Sequence, residues 1–88
     1  IYNYTININI KMEQEKKYIT SDLYLTAYLK VKGFKFLVEK VKNKASFIFD
    51  QSPELLTTVN EYLTESGSCE PLNYSNSIRN IKNLLYNT

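Results

Sequence analysis

The residues best suited to chemistry in this sequence are six lysines within fifteen positions. The stretch 30–44 reads KVKGFKFLVEKVKNK, and Glu39 is its one acidic residue. The cluster consists of Lys30, Lys32, Lys35, Lys40, Lys42 and Lys44. Closely spaced ammonium groups bind the phosphates of nucleic acids and release condensed counterions. An ordinary solvated face has the same composition, because lysines on an exposed hairpin deter edge-to-edge pairing of strands.

The charge of the chain is unevenly distributed, although its net value is only +2. Residues 30–44 carry +5, whereas residues 45–88 carry −3. Ten lysines accompany one arginine, and asparagine, isoleucine and tyrosine are abundant. These residue types have AT-rich codons, so part of the lysine excess reflects the genome. The polarity of the chain is nevertheless its clearest electrostatic feature.

The residue inventory argues against an enzyme. The chain has no histidine, so the usual general base is missing. Cys69 has no imidazole partner, and its neighbour Glu70 is acidic rather than basic. Asp50 and Glu54 have the residue types of a metal-dependent nuclease, but Glu54 is better explained as a helix-start residue. We therefore predict a non-enzymatic protein with no catalytic residue, no cofactor and no metal site.

The elements that position the lysines are predicted from periodicity and from caps. A helix is expected at about 21–32, capped by Thr20 or Ser21 and ended by Gly33. Alternating residues on both sides of a turn at 42–44 predict an antiparallel hairpin with its phenylalanines on the core face. Ser52 and Pro53 begin a second helix, and a third is expected at about 74–86. The fold class is α+β, a small antiparallel sheet covered on one face by three helices.

The beginning of the chain has a separate pattern. Apolar and polar residues alternate strictly from Tyr2 to Ile10, which predicts a strand, and the charged break KMEQEKK follows. We expect this strand to pair at the edge of a sheet, within the chain or with a neighbouring molecule. Residues 1–16 are expected to be an extra strand and a charged break. Met12 resembles an ordinary bacterial start, so the strand before it is expected to lie upstream of the native start. Residues 17–88 then form a single domain.

Two stretches, YITSDLYLTAYLKVKGF and SFIFDQSPELLTTVNEYL, resemble a family of short uncharacterised bacterial and phage proteins, a domain of unknown function. The resemblance covers about 17–86. It rests on a Tyr-x-Thr-x-Asp-Leu start, an apolar helix ending in Gly, a Phe-x-Phe strand and a helix ending near a Tyr. The matching positions are Tyr18, Thr20, Asp22, Leu23, Leu25, Ala27, Leu29, Gly33, Phe47, Phe49 and Tyr62. The resemblance implies a small cytoplasmic protein, often phage-associated, and no catalytic residues.

Two functions fit these features. In the first, an accessory protein of a phage or mobile element binds nucleic acid through the hairpin, with phosphate contacts from Lys35, Lys40, Lys42 and Lys44. An exposed Tyr24 or Tyr28 would add base stacking, and an amide face on the last helix, at Asn76, Asn80, Asn83 and Asn87, would contact bases. In the second, the chain binds a host or defence protein without nucleic acid, through the exposed acidic helix 52–65 and a tyrosine-rich surface. This function predicts a contiguous apolar patch away from the lysines.

Neither function requires a membrane, since no apolar run approaches the ~20 residues of a span. A lone cysteine favours the cytoplasm, and the oligomeric state is left open.

Overall fold

The computed structural model describes residues 16–86, which form three strands and three helices. In chain order they are β1 (Lys17–Thr20), α1 (Leu23–Val31), β2 (Phe36–Val41), β3 (Lys44–Asp50), α2 (Pro53–Leu63) and α3 (Pro71–Tyr86). This arrangement confirms the predicted α+β class. The strand predicted from Tyr2 to Ile10 lies outside the described residues.

The three strands form one antiparallel sheet with β3 in the centre and the order β1-β3-β2. The predicted hairpin is β2 and β3, paired from Phe36 with Phe49 to Val41 with Lys44. Strand β1 was not predicted, because its four residues are too few to show a period of two and its first residue is part of a charged run. It pairs with β3 from Lys17 with Asp50 to Thr20 with Phe47. A long-range partner, rather than local sequence, therefore makes this segment a strand.

The core lies between the sheet and the helices. Phe47 and Phe49 point from β3 towards the helices and are each 1% exposed, as the alternation predicted. The ring of Phe36 on β2 packs against both of them, at centroid distances of 5.7 and 5.5 Å. Five consecutive residues of α1, from Leu25 to Leu29, are buried. This confirms that α1, apolar nearly all round, is the central helix, with α2 and α3 each covering part of it.

Side-chain caps set where the helices begin. Asp22 rather than Thr20 or Ser21 caps α1, and its carboxylate accepts from the amides of Tyr24 and Leu25 at 3.0 and 3.1 Å. Ser52 caps α2 as predicted. Helix α3 begins at Pro71, three residues earlier than expected, because Glu70 accepts from the amides of Leu72 and Asn73. Glu70 is thus a capping residue with proline directly after it, a pattern typical of helix starts.

Gly33 ends α1 in the predicted left-handed conformation, with a φ of +101°. Its amide donates to the carbonyl of Lys30, and the next amide, of Phe34, donates to the carbonyl of Leu29. These two bonds form a Schellman motif, which reverses the chain and leads it directly into β2. In the part of the chain that the structure describes, no helix combines the length and apolar character that a membrane crossing needs.

Candidate interaction surface

The side of the sheet that faces away from the helices is covered by none of the residues from 16 to 86, and we call it the open face. Its residues alternate with the core residues along each strand, and they are Lys17, Ile19, Lys35, Leu37, Glu39, Val41, Lys44, Ser46, Ile48 and Asp50. Lys35 directly precedes β2 and continues its alternation. Among the residues from 16 to 86, no helix packs against this side of the sheet. The open face is therefore a regular surface that no helix of the described residues covers.

The centre of the open face is an apolar row across all three strands. Ile19, Ile48 and Leu37 are direct cross-strand neighbours in the register. Ile19 is 62% exposed and Leu37 is 71% exposed, while Ile48 between them is half-buried. Val41, 60% exposed, lies further along β2 on the same face, beyond Glu39. Aliphatic side chains aligned and exposed in this way form a contiguous patch, the kind of surface that marks a protein–protein interaction site.

Charged residues border this row on both sides. On one side lie Lys17, Asp50 and Lys35, which line a shallow depression together with Leu37 and Ile48. Lys17 and Asp50 form the one salt bridge found within residues 16–86. Lys35 is left as the unneutralised cation of that side, whereas Glu39 lies on the other side of the row, opposite Ser46. The two borders of the apolar row therefore carry opposite net charge.

The structure does not bring the six predicted lysines to one surface. Lys42 and Lys44 lie together at the hairpin tip, where they line a depression with Val41 and Asn43. Lys30 and Lys35 lie near each other beside Gly33, at the other end of the sheet.

Lys40 and Lys32 have contacts of their own. Lys40 points to the helix side of the sheet, where its ammonium donates to the carbonyl of Leu85 at 3.0 Å. That contact neutralises the negative end of α3, which is a structural role. The ammonium of Lys32 lies 5.4 Å from the centroid of the Tyr28 ring, a cation–π contact. The cationic residues are thus divided into separate groups, two of them at opposite ends of the sheet.

The tyrosines expected to stack on bases occupy different environments. Tyr28 is only 4% exposed, so the prediction that it stacks on a ligand is wrong; it packs on Tyr62 at 5.5 Å inside the protein. Tyr24 is 49% exposed, but its carbonyl accepts from the hydroxyl of Tyr74 at 3.2 Å on the helical side. Burial, followed by the neighbouring Tyr62, raises the pKa of Tyr74 to about 12. The pKa of Tyr62 is raised mainly by burial and then by Asp22. These phenols remain neutral at physiological pH and hold three helices together.

The remaining candidates form no reactive site. Asp50 is paired with Lys17 on the sheet, and Glu54 lies in the first turn of α2. No group of three or more potential metal ligands occurs between residues 16 and 86. Cys69 is a half-buried free thiol in the loop before α3. In the asparagine face, Asn76 accepts a hydrogen bond from Arg79, and Asn87 lies outside the described residues.

The apolar row was missed at the sequence level for a definite reason. Leu37 and Ile48 alternate with the phenylalanines, so the alternation places them on the side of the hairpin opposite the core, and the sequence around Ile19 has no strand signal. The available signal was an apolar residue at consecutive positions of both strands, Phe36-Leu37 and Phe47-Ile48-Phe49, which indicates that both faces are apolar.

The model of the family described as Domain of unknown function (DUF5659) matches residues 15–87. No curated protein and no solved structure matches the chain.

Proposed function

We propose that this chain, which belongs to the DUF5659 family, is a non-enzymatic protein-interaction module that binds through its open face. The single observation that carries the proposal is the exposed aliphatic row Ile19–Ile48–Leu37. Water-exposed apolar area of this kind is recovered as binding free energy when a complementary surface covers it. We retain with it the sequence-based prediction of a cytoplasmic accessory protein of a phage or mobile element, whose partner is a host or defence protein.

The chemistry of the open face favours protein over nucleic acid. Its ten residues include no aromatic side chain, whereas sheets that bind single strands present aromatic rings on which the bases stack. Its charges also nearly balance, with three lysines against Glu39 and Asp50 and with Lys17 already paired to Asp50. Aliphatic residues bordered by mixed charges resemble the apolar centre and polar rim of a protein interface.

A matched pair of variants tests this function. Leu37→Glu places a charge in the middle of the row, and Leu63→Glu makes the same change at a similarly exposed leucine, 64% exposed at the end of α2. The purified chain and both variants are used to capture proteins from a nuclease-treated host lysate. We expect the wild type and Leu63→Glu to retain the same partner and Leu37→Glu to lose it. Capture that is unchanged by Leu37→Glu contradicts the proposal.

Nucleic-acid binding is the second candidate, and the hairpin tip favours it. Lys42 and Lys44 lie side by side there, and neither has a carboxylate within salt-bridge distance among residues 16–86. If the tip contacts phosphates, Lys42→Gln and Lys44→Gln each reduce the slope of log affinity against log salt by about 1. Lys40→Gln is the control, because this lysine is held on the helix side by the carbonyl of Leu85. An equal effect of Lys40→Gln contradicts binding at the tip.

A further inference from the structure

The register of the sheet arranges the open face in four parallel rows that run across the strands. The first row holds Lys17, Asp50 and Lys35, the second is the apolar row, the third holds Ser46 and Glu39, and the fourth holds Lys44 and Val41 at the hairpin tip. The first and third rows flank the apolar row. Because Lys17 neutralises Asp50, the first row carries one net positive charge, at Lys35 on β2. The third row carries one net negative charge, at Glu39, which lies on the same strand.

Two copies of the open face can pack together about a two-fold axis that lies in the plane between the two sheets. Two directions of this axis, parallel and perpendicular to the strands, keep the strands of one copy aligned with those of the other. An axis parallel to the strands places each row against itself. The apolar rows then meet, but Lys35 faces the Lys17 side of the other copy and Asp50 faces Asp50. Like charges in direct opposition oppose association, so this arrangement is unfavourable.

An axis perpendicular to the strands, lying over the apolar row, gives the opposite result. Each strand then faces the same strand of the other copy running in the reverse direction. Ile19, Ile48 and Leu37 meet their own counterparts, the first row faces the third, and Lys35 of each copy lies opposite Glu39 of the other. Packed sheets are about 10 Å apart, a distance that lysine and glutamate side chains span together from both sides. This arrangement forms two Lys35–Glu39 contacts between the copies and buries the apolar row of each copy against that of the other.

We propose that a second copy of this chain covers the open face, related by a two-fold axis perpendicular to the strands. The inference rests on the proposed function, because it concerns the same surface: the second copy covers the open face of the free protein, and a host or defence protein displaces that copy when it binds. The dimer buries the row Ile19–Ile48–Leu37 at its centre and is bordered by two symmetric Lys35–Glu39 pairs. The residues of the hairpin tip, Lys42 and Lys44, remain outside the apolar centre.

Charge reversal tests both the partner and the direction of the axis. In Lys35→Glu two carboxylates oppose each other twice in the dimer, and in Glu39→Lys two ammonium groups do so. We expect each single variant to dimerise about tenfold more weakly than the wild type, because two attractive contacts become repulsive. An equimolar mixture of the two variants restores both contacts and returns the affinity to that of the wild type. The double variant Lys35→Glu/Glu39→Lys does the same.

Sedimentation velocity of the full chain, at protein concentrations from about 1 µM to about 1 mM, measures the dimer and its dissociation constant directly. Circular dichroism verifies that each variant is folded, and the exposed positions of all four substituted residues favour this. A dimer that Leu37→Glu abolishes, that Leu63→Glu leaves intact and that the charge-reversed mixture restores supports the proposal.

Three results overturn the proposal. The first is a monomer at every protein concentration. That result overturns the dimer whatever else covers the open face, including a different protein or residues 1–15 of the same chain. The second is a dimer that is insensitive to Leu37→Glu, and the third is a dimer whose charge-reversed variants do not recombine. A monomer that still captures a host protein in a Leu37-dependent way overturns the dimer alone and leaves the proposed function standing.

Discussion

The hydroxyl of Tyr28 offers the sharpest test of the packing described above. Tyr28 lies on α1 and is buried against the end of α2. Its hydroxyl oxygen has no hydrogen-bond partner among the described residues. A buried hydroxyl that loses its water without gaining a partner costs about 1–3 kcal/mol. Tyr28→Phe keeps the ring and removes that group. We expect it to raise the free energy of unfolding by about 1 kcal/mol.

The reason that the hydroxyl fits at all is the glycine next to it. A Cβ atom at Gly67 would lie 2.0 Å from the hydroxyl oxygen of Tyr28 and 2.9 Å from its ring carbon Cζ. Tyr28 cannot easily withdraw, because its ring packs on Tyr62 at 5.5 Å. Gly67→Ala is therefore expected to lower the free energy of unfolding by about 2 kcal/mol through overpacking. In the Tyr28→Phe background the worst contact disappears, and the cost falls by about 1 kcal/mol.

Urea denaturation of the four proteins in this double-mutant cycle, followed by circular dichroism, gives each free energy of unfolding. Tyr62→Phe is the matched control, because the hydroxyl of Tyr62 is hydrogen-bonded to Tyr74, and its removal should destabilise the protein by about 1 kcal/mol. The reasoning is refuted if Tyr28→Phe destabilises the protein as much as Tyr62→Phe does. It is also refuted if Gly67→Ala costs the same in both backgrounds, since the contact with the hydroxyl would then not be its cause.

Three further predictions concern the turn, a helix cap and the phenols. Lys42 has a φ of +57°, which is unfavourable for a residue with a Cβ. Lys42→Gly should therefore raise the free energy of unfolding in urea by about 1 kcal/mol, and an unchanged value would contradict a strained turn. Asp22→Ala removes both capping bonds of α1 and should cost about 1 kcal/mol in the same assay, whereas Asp22→Asn, which can still accept them, should cost less. Because the folded-state pKa of Tyr74 is raised from 10.0 to about 12, its contribution to stability is complete below pH 10 and is lost as the pH rises towards 12, by at most about 1.4 kcal/mol per pH unit. Tyr74→Phe should therefore show a shallower loss of stability above pH 10 than the wild type, and parallel curves would rule out this role.

Local signals in the amino-acid sequence were sufficient for most of the secondary structure. Ser52-Pro53, Gly33 and the alternating phenylalanines each act within a few residues, through a cap, a left-handed turn and a pleat, so they predict α1, α2 and the hairpin from sequence alone. Strand β1 depended on pairing with β3, whose residues are 27 to 33 positions away in the sequence. The early start of α3 depended on the side chain of Glu70, which the sequence placed in a loop.

The candidate site could be predicted only in part, and lysine shows the reason most clearly. Residue type and spacing revealed six cations in fifteen positions, but the side to which each points is decided by strand pairing and by the helices. Alternation sends Lys40 to the helix side, where α3 supplies a carbonyl, and Lys35 to the open face. The exposed row Ile19–Ile48–Leu37 exists only because three strands align, with one member coming from a segment that has no strand signal of its own. Sequence by itself thus determined which residues carry charge and where helices begin and end, whereas only tertiary structure decided which side chains share a surface, since a shared surface is made by long-range register.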